Sequence, residues 1–285
     1  MNAFVLIDKA AGMTSFDVIR LLRRQTGIRK IGHAGTLDPF ATGLLICAVG
    51  QYTRLLSYAE AQDKCYEASL LLGKRSASGD PETEIIEERE PELGRIDPQE
   101  LREKALKLSE LRLPAFSAIK IQGKRAYEYA RAGKAPEMPM REVKIHDFEW
   151  LEMQGHEIHY RVRVSKGTYI RAFSEWLAEQ TGNIGITTAL RRISIGNLAV
   201  HNACPISQLE SWQQYLCPPQ RILQGLAPLE LNEAQALDIQ NGVAIAMKEL
   251  PPEQDFALYS AEGGLLAIAT AREEALKPKL VFKQG

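Results

Sequence analysis

Short apolar runs recur along this chain, and their spacing predicts a mixture of strands and helices. Phe4-Val5-Leu6-Ile7-Asp8 reads as a strand, and Leu44-Leu45-Ile46-Cys47-Ala48-Val49 as a buried one. Thr14 or Ser15 caps a helix over 16–25, with Asp17 in its first turn and Gly27 past its end. Phe16, Ile19 and Leu22 share its apolar face. A helical turn is expected over 53–58. Residues 64–72 alternate as a strand, with Cys65, Glu67 and Ser69 on one side and Tyr66, Ala68 and Leu70 on the other. Asp97-Pro98 opens a helix over 98–109, and another spans 126–132, ended by Gly133. Strands over 143–151 and 157–165 are joined through Met153-Gln154-Gly155-His156. A helix over 169–180 and a last strand over 193–200 follow. Strands and helices without strict alternation favour an α+β fold over a doubly wound one.

Pro218-Pro219 marks a boundary between a catalytic domain at 1–220 and a small module at 228–285. The module carries a short helix over 232–239, Gly242, and strands near 256–259 and 265–270, a pattern that fits a small β-barrel.

Composition narrows the class. Of 285 residues, 45% are hydrophobic and 25% charged, as in ordinary globular proteins. No apolar run approaches the roughly 20 residues that span a bilayer, so no membrane association is expected. The start, Met1-Asn2-Ala3-Phe4, shows no signal peptide, and Cys47, Cys65, Cys204 and Cys217 form no Cys-x-x-Cys pair. They read as reduced thiols of a cytoplasmic protein. A net charge of −1 hides an asymmetry. Asp80, Glu82, Glu84, Glu87, Glu88, Glu90 and Glu92 crowd one stretch, opposed there by Arg89 alone. Cations gather elsewhere: Arg20, Arg23, Arg24, Arg29 and Lys30; Lys120, Lys124, Arg125, Arg131 and Lys134; Arg161, Arg163, Lys166 and Arg171; Arg191 and Arg192. Together they predict a phosphate-facing surface. His156 and His159, three apart, would face opposite sides of a strand, which argues against a metal site.

The stretch Gly32-His33-Ala34-Gly35-Thr36-Leu37-Asp38-Pro39-Phe40-Ala41-Thr42-Gly43 holds a single carboxylate among three glycines, two threonines and a proline. Glycine relaxes the backbone and proline fixes it, so neither a regular helix nor a regular strand is expected there. An acid on such a loop is either a placed reactive group or an ordinary Asp-Pro turn. The segment resembles the catalytic loop of the TruB-type tRNA pseudouridine synthases, which act on the uridine at position 55 in the T-loop of tRNA. Further blocks match in order: residues 8–15, Lys64-Cys65-Tyr66-Glu67-Ala68, residues 114–120 with 123–127, and Ser165-Lys166-Gly167-Thr168-Tyr169-Ile170-Arg171. Ala10 stands where the family has proline, Leu111 and Leu113 replace glutamine and proline, and residues 75–80 depart from Thr-Asp-Thr-x-Asp.

The resemblance implies a pseudouridine-synthase fold, a mixed and largely antiparallel sheet crossed by a cleft, with a PUA-like RNA-binding module at the C-terminus. It also implies a monomer acting on the tRNA T-stem-loop with no guide RNA and no cofactor. The guide-dependent relatives of archaea and eukaryotes fit less well, because no extended basic tail is present; an RNA-folding module without chemistry is the other reading. Pseudouridine formation breaks the C1′–N1 bond and joins C1′ to C5, with no redox change. The resemblance gives Asp38 the opening step, whether attack on sugar, attack on base or removal of a sugar proton. A carboxylate in a water-poor cleft needs a neighbouring cation to favour its charged form, and Arg171 is the matching one, so an Asp38–Arg171 ion pair is expected. Tyr66, the family's active-site tyrosine, would stack on the base and move a proton late in the reaction, and His33 would fill the space the base vacates. Lys9 and Lys120 would support loops or contact phosphate. Thr36, Tyr169 and Asp80 are carried over as substrate-binding. The rest of the acidic stretch is expected to point away from RNA.

Overall fold

The apolar strands expected near the N-terminus pair with each other in the computed structural model, which describes residues 1–134, 136–247 and 249–283. Strands Ala3–Lys9 and Thr42–Val49 run antiparallel, with Val5 opposite Cys47 and Lys9 opposite Gly43. Both are nearly continuous in apolar residues because both of their faces are covered. Val5, Ile7, Leu45 and Cys47 pack under Val18, Ile19 and Leu22 of helix Ser15–Thr26. Phe4, Leu6, Leu44 and Ile46 face the C-terminal module.

Among the described residues these strands belong to a ten-stranded sheet. Its main path runs Ile145–Gln154, Glu157–Val164, Lys64–Leu72, Gly185–Ile195, Thr42–Val49, Ala3–Lys9 and Cys204–Pro205. Most pairs are antiparallel, and Gly185–Ile195 meets Thr42–Val49 in parallel. Strand Lys64–Leu72 alternates as expected: Tyr66, Ala68 and Leu70 face a core completed by Phe148, Tyr160 and helix Ile170–Gln180. Helix Pro98–Lys107 closes that layer through Leu101 and Ala105.

Several expectations need correction. Phe16 is 54% exposed, and the inner face of its helix is Ser15, Val18, Ile19 and Leu22. Gly32, His33 and Ala34 are not loop but lie in strand Ile31–Ala34, paired antiparallel with Thr42–Val49. The ladder satisfies their backbone groups, and Gly32 leaves room for Leu56 Cδ1, which a Cβ would meet at 2.9 Å. Thr42 and Gly43 begin the next strand, which leaves only residues 35–41 irregular. The strand expected at 193–200 runs instead from Gly185 to Ile195 and turns at Gly196 into Leu198–Ala199. The expected strand at 143–151 is Ile145–Gln154, and the hairpin turn is Gly155-His156 alone, so His156 is not on a strand. Lys74–Ser76 and Ile85–Glu88 form a hairpin that the apolar pattern does not announce.

The C-terminal module is a five-stranded sheet, ordered Ala227–Leu231, Asp255–Ser260, Leu265–Arg272, Ala275–Val281 and Ile245–Ala246. Helix Glu233–Gln240 covers one side, capped by Asn232 and Gln235. Positions 248, 284 and 285 of the expected 228–285 module lie outside the described residues. The module has its own cluster around Ile239, Leu258 and Leu266. Its other face joins the large domain: Ala257, Tyr259, Ile268 and Phe282 share a cluster with Phe4, Leu6 and Tyr52. The Phe282 ring meets Tyr52 edge-on at 5.5 Å. Cys47, Cys204 and Cys217 are buried free thiols, and Cys65 is half-buried.

Candidate active site

A cleft of about 1510 Å³ opens beside the large core, lined by Gly35 to Pro39, Tyr66, Asp80, Tyr169 and Arg171, among others. Its floor is built by three elements. The loop between strands Ile31–Ala34 and Thr42–Val49 brings Asp38, strand Lys64–Leu72 brings Tyr66, and the first turn of helix Ile170–Gln180 brings Arg171.

Asp38 and Arg171 meet in a two-pronged ion pair. Arg171 Nε donates to Asp38 Oδ2 at 2.9 Å and Nη2 to Oδ1 at 3.2 Å. The guanidinium is held further by Ser78 O at 2.6 Å and Phe116 O at 2.8 Å, with Asp80 Oδ2 at 3.5 Å from Nη1. The Arg171 side chain is 4% exposed and that of Asp38 32%, so the cation is sealed while the carboxylate faces the cleft. Planar fork-to-carboxylate contact fixes orientation as well as charge.

The loop carrying Asp38 is pinned at almost every residue. Ser15 Oγ accepts from Leu37 N at 2.9 Å and reaches Leu37 O at 3.2 Å. Gly12 N donates to Pro39 O at 2.9 Å. Glu82 Oε1 accepts from Phe40 N at 3.0 Å. Arg192 grips both ends, donating through Nε to Leu44 O at 2.7 Å and through Nη2 to Gly35 O at 3.0 Å. Gly43 permits this, with φ of +106° and a space where a Cβ would sit 2.3 Å from Arg192 O.

Lys9 proves to be structural. It is fully buried, donating to Met13 O at 2.6 Å, Ala10 O at 3.0 Å and Pro39 O at 3.3 Å, so it cannot touch phosphate. Burial pulls its ammonium down to about 8, against the opposing pull of Asp38 and Glu82. The acidic stretch departs from expectation at Glu82, which lines the cleft beside Asp80, while Glu84, Glu87 and Glu88 are exposed outside the lining. Asp80 is buried and accepts from Ser78 Oγ at 2.5 Å and Glu82 N at 2.9 Å. Burial first, then the neighbouring Asp80, pushes the Glu82 carboxyl above its usual range.

Tyr66 is 7% exposed, with its ring on the cleft wall. Thr36 is exposed at the mouth, and Tyr169 is half-buried, its phenol pushed up by burial. His33 sits on its strand outside the cleft lining, and its buried Nδ1 has no hydrogen-bond partner. Burial, then the charge of Arg192, pulls its imidazole down from the ordinary histidine range. Lys120 is exposed on the Lys120–Ile121 and Lys124–Arg125 hairpin, also outside the lining.

Not all the expected cations are available for phosphate. Arg192 is 1% exposed, Arg161 is paired with Glu67 and Glu149, and Arg191 with Asp8. Ser15, Ser78, Glu82 and Arg192 are the site residues that sequence reasoning missed; only Ser15, read as a possible helix cap, carried any signal. Among the described residues no three His, Cys, Asp or Glu side chains gather as a metal site.

A cleft over a mixed sheet, floored by one carboxylate locked to a sealed guanidinium, defines a family recognisable from its relatives. The pattern of the TruB family pseudouridylate synthase N-terminal domain matches residues 23–170. The tRNA pseudouridine synthase B of Thermobifida fusca is 34% identical over 292 residues, covering 99% of this chain and 98% of that protein. That of Acholeplasma laidlawii is 31% identical, covering 99% of this chain and all of that protein. This chain belongs to the TruB family of pseudouridylate synthases. The fold is also seen in a chain from the structure of an H/ACA RNP bound to a substrate RNA containing 2′-deoxyuridine. The TM-score there is 0.72 at 19% identity, covering 99% of this chain and 85% of that one.

Proposed function

We propose that this protein converts the uridine at position 55 in the T-loop of tRNA to pseudouridine, with Asp38 opening the reaction. The observation that carries this reading is the Asp38–Arg171 pair: a partly exposed carboxylate, held by two charge-assisted bonds, on the floor of a cleft roomy enough for a nucleoside. The relatives named above supply the class of substrate.

The target base leaves its stack, at a cost of a few kcal/mol, and enters the cleft. The Tyr66 ring offers it a flat face, worth about 1–3 kcal/mol of stacking whatever the base. His33, whose imidazole burial pulls down and so disfavours charging, fills the space left in the RNA. The C1′–N1 bond then breaks, the base turns, and C1′ joins C5. The C5 proton is lost to solvent and N1 gains one, so the product is an isomer and no cofactor is consumed. Attack on sugar, attack on base and removal of a sugar proton all begin at the Asp38 carboxylate. Thr36, Tyr169 and Asp80 border the base or its ribose, and exposed Lys120 faces the RNA backbone. The protein acts in the cytoplasm as a monomer without a guide RNA; no helix among the described residues is long and apolar enough to cross a membrane.

Mapping pseudouridine at single-nucleotide level in an unmodified tRNA transcript, incubated with this protein alone, tests the assignment. One pseudouridine at the T-loop uridine is expected; conversion at another site, or only with added RNA, contradicts it.

A further inference from the structure

Phe16 is the one aromatic side chain, among the described residues, that is exposed. Every other phenylalanine, tyrosine and tryptophan is buried or half-buried. A ring left 54% open to water forgoes apolar burial, and its position is not casual. It follows Ser15, whose hydroxyl is bonded to both backbone groups of Leu37, one residue before Asp38. The capping box of Thr14 and Asp17 fixes the same turn. The ring is therefore held at a set place on a helix whose first turn is bonded to the Asp38 loop, on a rigid element rather than a loop.

Its neighbours are cations. The Arg23 guanidinium lies 5.6 Å and that of Arg20 5.9 Å from the ring centroid. Arg20 is steadied by Asp17, and Arg23 by a bond to Ile31 O at 3.3 Å. Arg24, Arg29 and Lys30 are exposed further along, so residues 15–30 carry five cations against one acid. A flat ring set among cations recognises nucleic acid twice over, by stacking on a base and by attracting phosphate. An apolar protein partner would gain little from so charged a rim.

Resting on the RNA-modifying reading above, we propose that Phe16, flanked by Arg20 and Arg23, is a second stacking platform. It receives one unpaired nucleotide of the same RNA loop that delivers the target uridine to Asp38. The RNA loop would then be held at two nucleotides, the flipped base against Tyr66 in the cleft and a second base on Phe16. Phe16 acts as a specificity-determining contact and takes no part in bond breaking.

The test is a binding cycle between protein and RNA. Affinity for a T-arm stem-loop is measured by fluorescence anisotropy at fixed salt for wild type, Phe16→Ala and Phe16→Trp. Each RNA carries an abasic site at one unpaired loop position other than the target. Phe16→Ala is expected to weaken binding of the intact loop about tenfold, with the loss in KM rather than kcat, and Phe16→Trp to restore it. One abasic position should cost the wild type a similar factor and cost Phe16→Ala nothing. Equal losses for both proteins at every position, or wild-type affinity in Phe16→Ala, would overturn the platform. Isomerisation is scored separately, so the platform can fail while the enzyme reading stands, and coupling at one position can survive an inactive wild type.

Discussion

Arg171 is asked to do more than neutralise a charge. Its guanidinium spends four hydrogen bonds on Asp38, Ser78 O and Phe116 O, in a side chain that is almost sealed. A lysine keeps the charge and loses the fork, and so cannot hold both carboxylate oxygens while satisfying two carbonyls. Arg171→Lys is expected to lower kcat/KM by about a hundredfold, as reactive-group misplacement does, while unfolding stays cooperative. Near-normal turnover would show that charge alone suffices. Arg171→Ala should cost about 3–5 kcal/mol of stability in urea titration, because buried Asp80 loses its cation. The Asp38–Arg171 pair is legible in the sequence, through the order of matching blocks. Glu82 and Arg192 are not. Both look like surface charges, and what sets them to work is a partner far along the chain: Phe40 N for exposed Glu82, Gly35 O and Leu44 O for buried Arg192.

The Asp38 loop is an element defined by its supports. Lys9 holds three carbonyls at its base, and burial lowers that ammonium from 10.5 to about 8. Between those values the unfolded chain binds more protons than the folded one, so this residue adds stability as pH rises from about 8 to 10.5. Lys9→Met is expected to remove that rise and to leave three buried carbonyls short of a donor, lowering stability at pH 7 by about 1–3 kcal/mol. The difference between wild-type and variant stability across pH 7–10.5 reads this directly; a gap that does not change with pH would refute it. Element boundaries followed the sequence wherever apolar residues run unbroken, as in Ala3–Lys9 and Thr42–Val49. Strand Gly185–Ile195 was misplaced because Thr187, Thr188, Arg191 and Arg192 resemble a polar surface, whereas Thr187 and Arg192 are buried. Helical periodicity also misplaced Phe16, since the capping turn rotates it away from the core.

At the scale of the whole molecule, the C-terminal module is part of the fold of the large domain. Phe282, Tyr259 and Ile268 cover the outer face of the first strand pair, Arg54 donates to Val281 O at 3.2 Å, and Asn2 Nδ2 to Lys283 O at 3.1 Å. A chain ending at residue 226 would expose Phe4, Leu6 and Tyr52, several side chains worth about 1.5–3 kcal/mol each. It is expected to lose its cooperative thermal transition, and a truncated chain with the wild-type Tm would mean that the shared cluster is dispensable. The same construction sets the first strand pair, and through it the Asp38 loop, between two packed layers. Whether the Asp38 carboxylate opens the isomerisation is read from release of tritium from tRNA labelled at C5 of uridine. Wild type should release label stoichiometrically with the target uridine, and Asp38→Asn, folded to the same Tm, should release none above background. Release by Asp38→Asn at the wild-type rate would mean that this carboxylate does not start the reaction.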